Sequence, residues 1–390
     1  MKPQQAMNVA GVMSGTSADG IDVAIVRIFP QNKTPRLKLI AHQAFPFSKA
    51  MRSQILGAMD SKCAVVADIA RLGTRLGIAY AGAIAETMRS HDVKVALAGC
   101  HGQTIYHQGD AMTFLGRRLA ATWQLLDPSP IAEKLRIPVV SDFRPADMAA
   151  GGMGAPLVPL LDYEYFGSKQ RHRVLLNLGG IGNMTLLPAG VPSRDVVAFD
   201  TGPANMVIDA LMDRLFGKAF DRGGATAASG KACLPAVEAA LRQPFFRRLP
   251  PKTTGREQFG SEFTQKFLHA CRSHSATSED AIASATLLTA KSIRIALQRF
   301  VRPAFGSGEI DLVISGGGLR NATMVKMIRE EALGLDCKVL SSDDLGMPSQ
   351  AKEAAAFALL AWNTWHGLAG NLPSATGAQR PVVLGRISHG

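Results

Sequence analysis

The sequence predicts an α/β protein of two domains, and three observations carry that prediction. A chain of 390 residues has room for two or three compact units at roughly 150 residues each. Short β-branched runs alternate with longer Ala-rich stretches of helical period, the pattern of strands set between helices. Each half also opens in the same way, with a strand, a glycine turn and a second strand. Hydrophobic residues make up 47% and charged residues 19% of the chain, which supplies cores and excludes a disordered, collagen-like or coiled-coil chain. The run Ala354–Ala361 is far shorter than the ~20 apolar residues a membrane-spanning helix needs. Met1–Ala10 lacks the apolar core of a signal peptide. No membrane association is expected.

Five cysteines (Cys63, Cys100, Cys233, Cys271, Cys337) are scattered, odd in number and without metal-like spacing, which suggests a reduced, cytoplasmic setting. The net charge of +12 would attract nucleic acid or a phosphorylated substrate. Its densest run is Arg242, Arg247, Arg248, Lys252 and Arg256, with Phe245 and Phe246 inside it. Charge alone gives weak, salt-sensitive binding, so no nucleic-acid partner is expected.

Taken in order, the apolar runs predict strands at 8–13, 21–28 and 37–45, the first two joined by the small-residue turn 14–20. Helices follow at 49–59 and 64–89. A buried strand at 93–98 is expected to end in Cys100–Thr104, followed by a helix at 128–135, with Pro near its start, and a strand at 137–141. The polar stretch Gly167–His172 marks a boundary, giving domains 1–168 and 169–390, with the last helix and tail free to pack back on the first domain. The second half brings strands at 174–178, 184–187 and 196–199, then a helix at 203–216. Further helices are expected at 233–241, 262–272 and 279–300. A strand at 312–315 runs into a triple glycine, and a helix at 322–333, a strand at 338–340 and a helix at 350–365 complete the chain.

Several familiar motifs are missing. There is no G-x-x-x-x-G-K-[ST], since Ala225 and Ala232 spoil the approach around Gly230-Lys231, and no G-x-G-x-x-G follows a strand. H-E-x-x-H and G-x-S-x-G are also absent. P-loop enzymes, Rossmann dehydrogenases, zincins and α/β-hydrolases are thereby disfavoured.

The segments that remain can handle phosphate and sugar. Gly15-Thr16-Ser17-Ala18-Asp19-Gly20-Ile21-Asp22 can converge backbone N–H groups on phosphate oxygens without a lysine. Asp19 and Asp22 suit a hydrated Mg²⁺, which keeps several waters and takes one or two carboxylates. An ordinary hairpin would use the same residues. Gly179, Gly180 and Asn183 form a second turn of this design. Gly316-Gly317-Gly318 follows a strand and precedes a helix, where glycines permit close approach of a ring or phosphate. Asp200 lies at a strand end before a helix, either as a proton acceptor or as a helix cap. His101, Gln103 and Thr104 cluster beside Gly102 as polyol contacts. Arg144 and Asp147 suit hydroxyls or a carboxylate, or pair with each other. Glu353 sits on the late Ala-rich helix, where a solvated face is the plain alternative.

Together these segments resemble the anhydro-N-acetylmuramic acid kinases. The matches are 13–22, His101–Thr104, Asp142-Phe143-Arg144 with Asp147, 151–159, Asn177–Gly180, Phe199–Asn205, Pro251–Glu257, Gly316–Gly318 and Glu353–Ala361. The resemblance implies a duplicated ribonuclease-H-like fold of the actin and hexokinase type, with ATP and Mg²⁺ in an interdomain cleft. It implies a substrate, 1,6-anhydro-N-acetylmuramate from recycled peptidoglycan, that is opened by water and phosphorylated on O6. Asp200 matches the family's catalytic Asp. The first domain would carry one phosphate loop and the sugar-side motifs. The second would carry the other phosphate loop, Asp200 and the adenosine loop. His101, Gln103, Thr104, Arg144, Asp147 and Glu353 become sugar contacts, and closure of the domains would exclude bulk water. A homodimer is compatible with this picture, as are a same-fold kinase for another sugar and an ATP-binding regulatory protein without transfer activity. Met153, Ala204, Pro145 and the stretch 123–127 depart from the family's usual pattern.

Overall fold

The computed structural model describes residues 5–31, 35–60 and 63–390, so Met1–Gln4 of the N-terminal stretch lie outside the described residues. The chain forms two units, one of residues up to Phe166 together with Gln350–Gly390, the other Gly167–Ser349.

In the first unit, β1 (Met7–Ser14), β2 (Gly20–Phe29) and β3 (Arg36–Pro46) make an antiparallel meander. β4 (Leu97–Phe114) joins β1 in parallel, with Val9 opposite Leu97. β5 (Arg117–Leu125) folds back antiparallel on β4. β6 (Val139–Ser141) pairs in parallel with the buried start of β4. A short strand, Arg386–Ser388, lies antiparallel against β6. One face of the sheet buries Val12, Val23 and Ile25 with Leu72, Leu76, Tyr80 and Ile84 of the helix Val66–Ser90. The helix presents these four at i, i+4, i+8 and i+12, the apolar stripe of an amphipathic helix.

The helix Lys352–Trp365 is buried almost all round and lies against β1, β2 and β4. Two strand glycines make its close approach possible. A Cβ at Gly11 would fall 1.8 Å from the carbonyl oxygen of Ala354, and one at Gly99 would fall 2.2 Å from that of Phe357.

In the second unit, β7 (His172–Leu178), β8 (Ile181–Leu187) and β9 (Val197–Pro203) repeat the antiparallel meander. β10 (Ile310–Ser315) and β11 (Cys337–Ser341) extend it in parallel on the far side of β7. The sheet order β11-β10-β7-β8-β9 matches β6-β4-β1-β2-β3 strand for strand. The duplicated ribonuclease-H-like architecture is therefore present in the connectivity itself. The core joins Val174, Leu176, Met184 and Leu186 to Ile208 and Leu211 of the helix Asn205–Phe216 and to Ile282, Leu288 and Ile293 of the helix Ser278–Ala296.

Three expectations change. The segment Gln350–Gly390, read with the second half but free to pack back on the first domain, belongs to the first unit, because its helix packs on the glycines of β1 and β4. β4 does not end at Cys100–Thr104 but runs to Phe114 and forms a hairpin with β5. The polar stretch Tyr106-His107-Gln108-Gly109-Asp110 concealed this extension, which lies largely on the surface. β9 continues through Asp200 to Pro203, and the following helix starts at Asn205 with Ala204 in the capping position. Asp200 is not a helix cap.

Candidate active site

The turn between β1 and β2 is built for exposure at its tip. Ala18 N–H donates to the Gly15 carbonyl at 3.1 Å, and Ala18 is buried in the left-handed region at φ 52°. Thr16, Ser17 and Asp19 stand in solvent. Gly20 presses on β3, where a Cβ would come 2.4 Å from the Phe45 carbonyl oxygen. Ile21 is buried in the core. Asp19 pairs with Arg52 at 3.4 Å, and Asp22 with His42 at 3.1 Å. Gln103 serves this turn from β4. Its amide donates to the Gly15 carbonyl at 3.1 Å, and its Oε1 accepts from the Ser14 hydroxyl at 2.6 Å. Being fully buried and so engaged, Gln103 acts as a brace for the turn.

The matching turn of the second unit is fixed by the start of the helix Asn205–Phe216. Ala204 and Met206 N–H donate to the Gly180 carbonyl, and Asn205 N–H to that of Gly179, each at 3.0 Å. The Asn205 side-chain amide adds a bond to Gly179 at 2.9 Å. Beside this turn, Gly316 and Gly318 are demanded by packing. Their Cβ atoms would meet Asn177 Oδ1 at 2.5 Å and Leu178 Cβ at 2.6 Å. Gly317 faces open space, with nothing within 4 Å of a Cβ.

Paired residues on neighbouring strands point to one face of a sheet. Ser315 pairs with Asn177, Asn177 with Asn183, and Asn183 with Asp200. A polar row therefore crosses the second sheet and ends at Asp200. Thr201 is an extra residue at this point, since Gly182 opposes Gly202 while Asn183 opposes Asp200. Such a bulge re-aims the neighbouring side chains. Thr254 N–H donates to Asp200 Oδ2 at 2.8 Å, and Asp200 N–H donates to the Lys252 carbonyl at 2.9 Å. Burial pushes the Asp200 carboxyl up to about 6, with Glu257 adding to the rise and the Thr254 N–H and Lys252 opposing it. At neutral pH it is an ionised carboxylate with more basicity than a free one.

In the first unit the sequence-predicted sugar contacts divide. His101 is buried beneath Arg144, whose Nε and Nη2 lie 3.1 and 2.9 Å from its Nε2. The His101 ring lies 4.7 Å from that of Phe357. Burial and the Arg144 charge hold the imidazole well below its usual range, so it is neutral. Arg144 also donates to the Gly154 carbonyl at 2.7 Å. Burial lowers its guanidinium to about 10, against the favourable charges of Glu353 and Asp147. Burial raises the Glu353 carboxyl, Asp22 adds to that rise, and Lys352 and Arg144 oppose it. Arg144 and Glu353 thus favour each other's charged forms, and His101 lies against the guanidinium. Thr104 accepts a long bond from Gln124 at 3.4 Å.

Asp147 has a different task. It is fully buried, and both its oxygens are taken, Oδ2 by Gly154 N–H at 2.8 Å and Oδ1 by Asn371 and Thr376 at 2.7 Å each. It ties the loop 151–154 to the C-terminal segment and has no face left for a sugar.

Comparison with known proteins settles the family. The description "Anhydro-N-acetylmuramic acid kinase" matches residues 7–390. A protein of that name from Bacillus cereus (strain AH187) is 40% identical over 386 residues, 98% of this chain and 99% of its own. The chain belongs to the anhydro-N-acetylmuramic acid kinase family. Relatives of the same name from Bacillus cereus (strain G9842) and Bacillus anthracis (strain A0248) are 41% and 40% identical over 385 residues, again 98% of this chain and 99% of theirs. Among solved structures, the (R)-2-hydroxyglutaryl-CoA dehydratase component A of Acidaminococcus fermentans aligns at 13% identity over 92% of this chain and 98% of that one. Its TM-score is 0.46, a likeness too distant to carry function.

Met153 and Pro145 line an open concavity of about 780 Å³ with Asp110, Arg118 and Thr122 of the β4–β5 hairpin. Two residues named in the sequence only as parts of matching segments had no role assigned to them. Asn177 becomes a member of the polar row only through strand register. Lys252 becomes notable only through what surrounds it.

Proposed function

We propose that this enzyme adds water to C1 of 1,6-anhydro-N-acetylmuramic acid and transfers the γ-phosphoryl group of ATP to O6, giving N-acetylmuramic acid 6-phosphate and ADP. Asp200 carries the reading. It is an ionised, half-buried carboxylate, set by a bulge at the end of a polar row and oriented by one main-chain N–H. Water attacks C1 as Asp200 takes its proton, the C1–O6 bond breaks, and O6 takes the phosphoryl group. A base whose affinity for protons lies close to working pH is the effective kind. The rest of phosphoryl transfer is positioning and charge stabilisation.

The supporting roles follow from the geometry above. The turns at Gly15–Asp22 and Gly179–Asn183 would hold phosphates, and the open side of Gly317 would face the adenosine. Arg144, Glu353 and Thr104 would bind the sugar, with His101 and Gln103 as supports. Among the described residues no three His, Cys, Asp or Glu cluster as a metal cage. Asp19 and Asp22 suit an ion held largely by phosphate and water, so they would hold Mg²⁺ through its waters. There it would neutralise phosphate charge. A place in peptidoglycan recycling and in the cytoplasm fits this chemistry. No helix among the described residues is long and apolar enough to cross a membrane.

The test is mass spectrometry of the product formed in ¹⁸O-water, paired with the variant Asp200→Asn. The expected results are label at the anomeric oxygen and turnover lowered by roughly 10²-fold or more, the scale of general-base catalysis. An unlabelled anomeric oxygen, or ATP turnover indifferent to the anhydro sugar, rejects the reading.

A further inference from the structure

We infer that Arg52 is a positioning residue for the polyphosphate of ATP: reaching in from the helix Lys49–Asp60, its guanidinium holds the exposed tip of the Gly15–Asp22 turn and supplies the positive charge that turn lacks. The inference rests on the reading of that turn as a phosphate holder. It starts from a mismatch of charge. The turn carries two carboxylates, Asp19 and Asp22, and neither lysine nor arginine. A polyphosphate approaching it meets like charge, which is costly unless cations stand close.

The fold brings a cation from the helix that follows the meander. Gly20 pairs with Pro46, and Phe47 N–H donates to the Asp19 carbonyl at 3.0 Å. The helix begins directly after, with the Ser48 hydroxyl accepting from Met51 N–H at 3.2 Å, the bond of an N-terminal cap. Met51, Ile55 and Met59 follow at i, i+4 and i+8 and pack on the first core, where Ile55 is fully buried. The helix is thereby seated, and Arg52 in its first turn is carried to the tip. Its Nη2 donates to the Ser17 carbonyl at 3.3 Å, and its Nε lies 3.4 Å from Asp19 Oδ1. The side chain remains 48% exposed, and its planar fork suits phosphate oxygens as it does carboxylates.

An ion pair this exposed contributes little to folding. Its loss should leave the melt in place and appear in nucleotide binding instead. The experiment uses the full chain and the variants Arg52→Met, Arg52→Gln, Arg52→Lys, Asp19→Asn and the double variant Arg52→Met with Asp19→Asn. Binding of β,γ-methylene-ATP with Mg²⁺ is measured by calorimetry, KM is measured for ATP and for the anhydro sugar, and hydrogen exchange of amides 15–20 is followed with and without the analogue. A bond to a charged group is worth about a decade in affinity, so Arg52→Met and Arg52→Gln should bind the analogue roughly tenfold more weakly. KM for ATP should rise in step, while KM for the sugar stays within about twofold. Arg52→Lys keeps the charge without the fork and should fall between. Contacting residues do not act additively, so in the Asp19→Asn background the loss of Arg52 should cost about threefold or less. Melting temperatures of the Arg52 variants should stay within about 2 °C of wild type. The analogue should protect the wild-type turn from exchange, and protect it less in Arg52→Met. If the Arg52 variants bind the analogue as tightly as wild type, with the turn equally protected, Arg52 is a surface contact and the inference is overturned. Equal rises in KM for ATP and sugar together with a lowered melt overturn it as well, since a disturbed fold produces both. If the analogue gives the wild-type turn no protection, the phosphate reading of the turn falls first and takes the inference with it.

Discussion

Arg144 rests on His101. Its Nε and Nη2 lie 3.1 and 2.9 Å from the imidazole Nε2, while Nδ1 lies 2.8 Å from the Gly102 carbonyl oxygen. A neutral ring fits this arrangement, donating from Nδ1 and accepting at Nε2, and a protonated ring would face the guanidinium with a like charge. The imidazole is held well below its usual range by burial and by Arg144. It therefore contributes no titration near neutrality.

His101→Ala should for that reason weaken sugar binding without altering the acid limb. A lost hydrogen bond to a charged group costs about 1.5 kcal/mol, so KM for the anhydro sugar should rise roughly tenfold. KM for ATP should stay near its wild-type value. Steady-state kinetics with each substrate varied checks this, and a rise confined to ATP would remove His101 from the sugar side.

Asp200 predicts a conflict between stability and activity. Its carboxyl is raised to about 6 from a model-compound value of 3.8. The native state then binds more protons than the unfolded chain between those values, so stability falls as pH rises from about 4 to about 6. Asp200→Asn mimics the protonated form and removes the penalty. The variant should be more stable than wild type at pH 7, by something on the order of 1–2 kcal/mol, and the gain should vanish below about pH 4. Thermal melts at several pH values read the difference. A variant less stable than wild type at neutral pH would contradict the assigned burial penalty.

The parts of this protein that sequence alone revealed are those with local causes. The runs at 8–13 and 21–28 are apolar and β-branched because they lie in a sheet covered by helices, and they appear as β1 and β2. The duplicated opening, strand–glycine turn–strand, is visible because each turn holds a glycine in close packing, Gly20 against the Phe45 carbonyl and Gly182 against the Thr201 hydroxyl. What stayed hidden depends on distance along the chain. Asp147 looks like a sugar ligand until its partners Asn371 and Thr376 are found 224 and 229 residues away. Lys252 looks like one basic residue among several until residues 199, 245 and 300 fold around it. β5 stayed hidden because the exposed β4–β5 hairpin has no buried face to impose alternation.

Asp147 should therefore answer as a structural residue. Asp147→Asn puts an amide where three donors now converge on two carboxylate oxygens. At least one buried donor loses its acceptor, at a cost of about 1–3 kcal/mol. The melting temperature should fall by several degrees, while KM for the sugar in the folded enzyme stays within about twofold of wild type. A large rise in KM with an unchanged melt would restore Asp147 to the substrate.

The triple glycine offers the cleanest separation of packing from binding. Gly318→Ala would push a methyl group to 2.6 Å from Leu178 Cβ. Overpacking of that kind costs about 1–3 kcal/mol, so this variant should unfold at lower temperature. Gly317→Ala meets nothing within 4 Å and should melt as wild type does. Its methyl group would stand on the side assigned to the nucleotide, where a ring or phosphate needs bare backbone. KM for ATP should then rise roughly tenfold, while KM for the sugar changes little. Melts and kinetics on both variants give four readings. The assignment of Gly317 to the nucleotide fails if its alanine variant binds ATP as tightly as the wild-type enzyme.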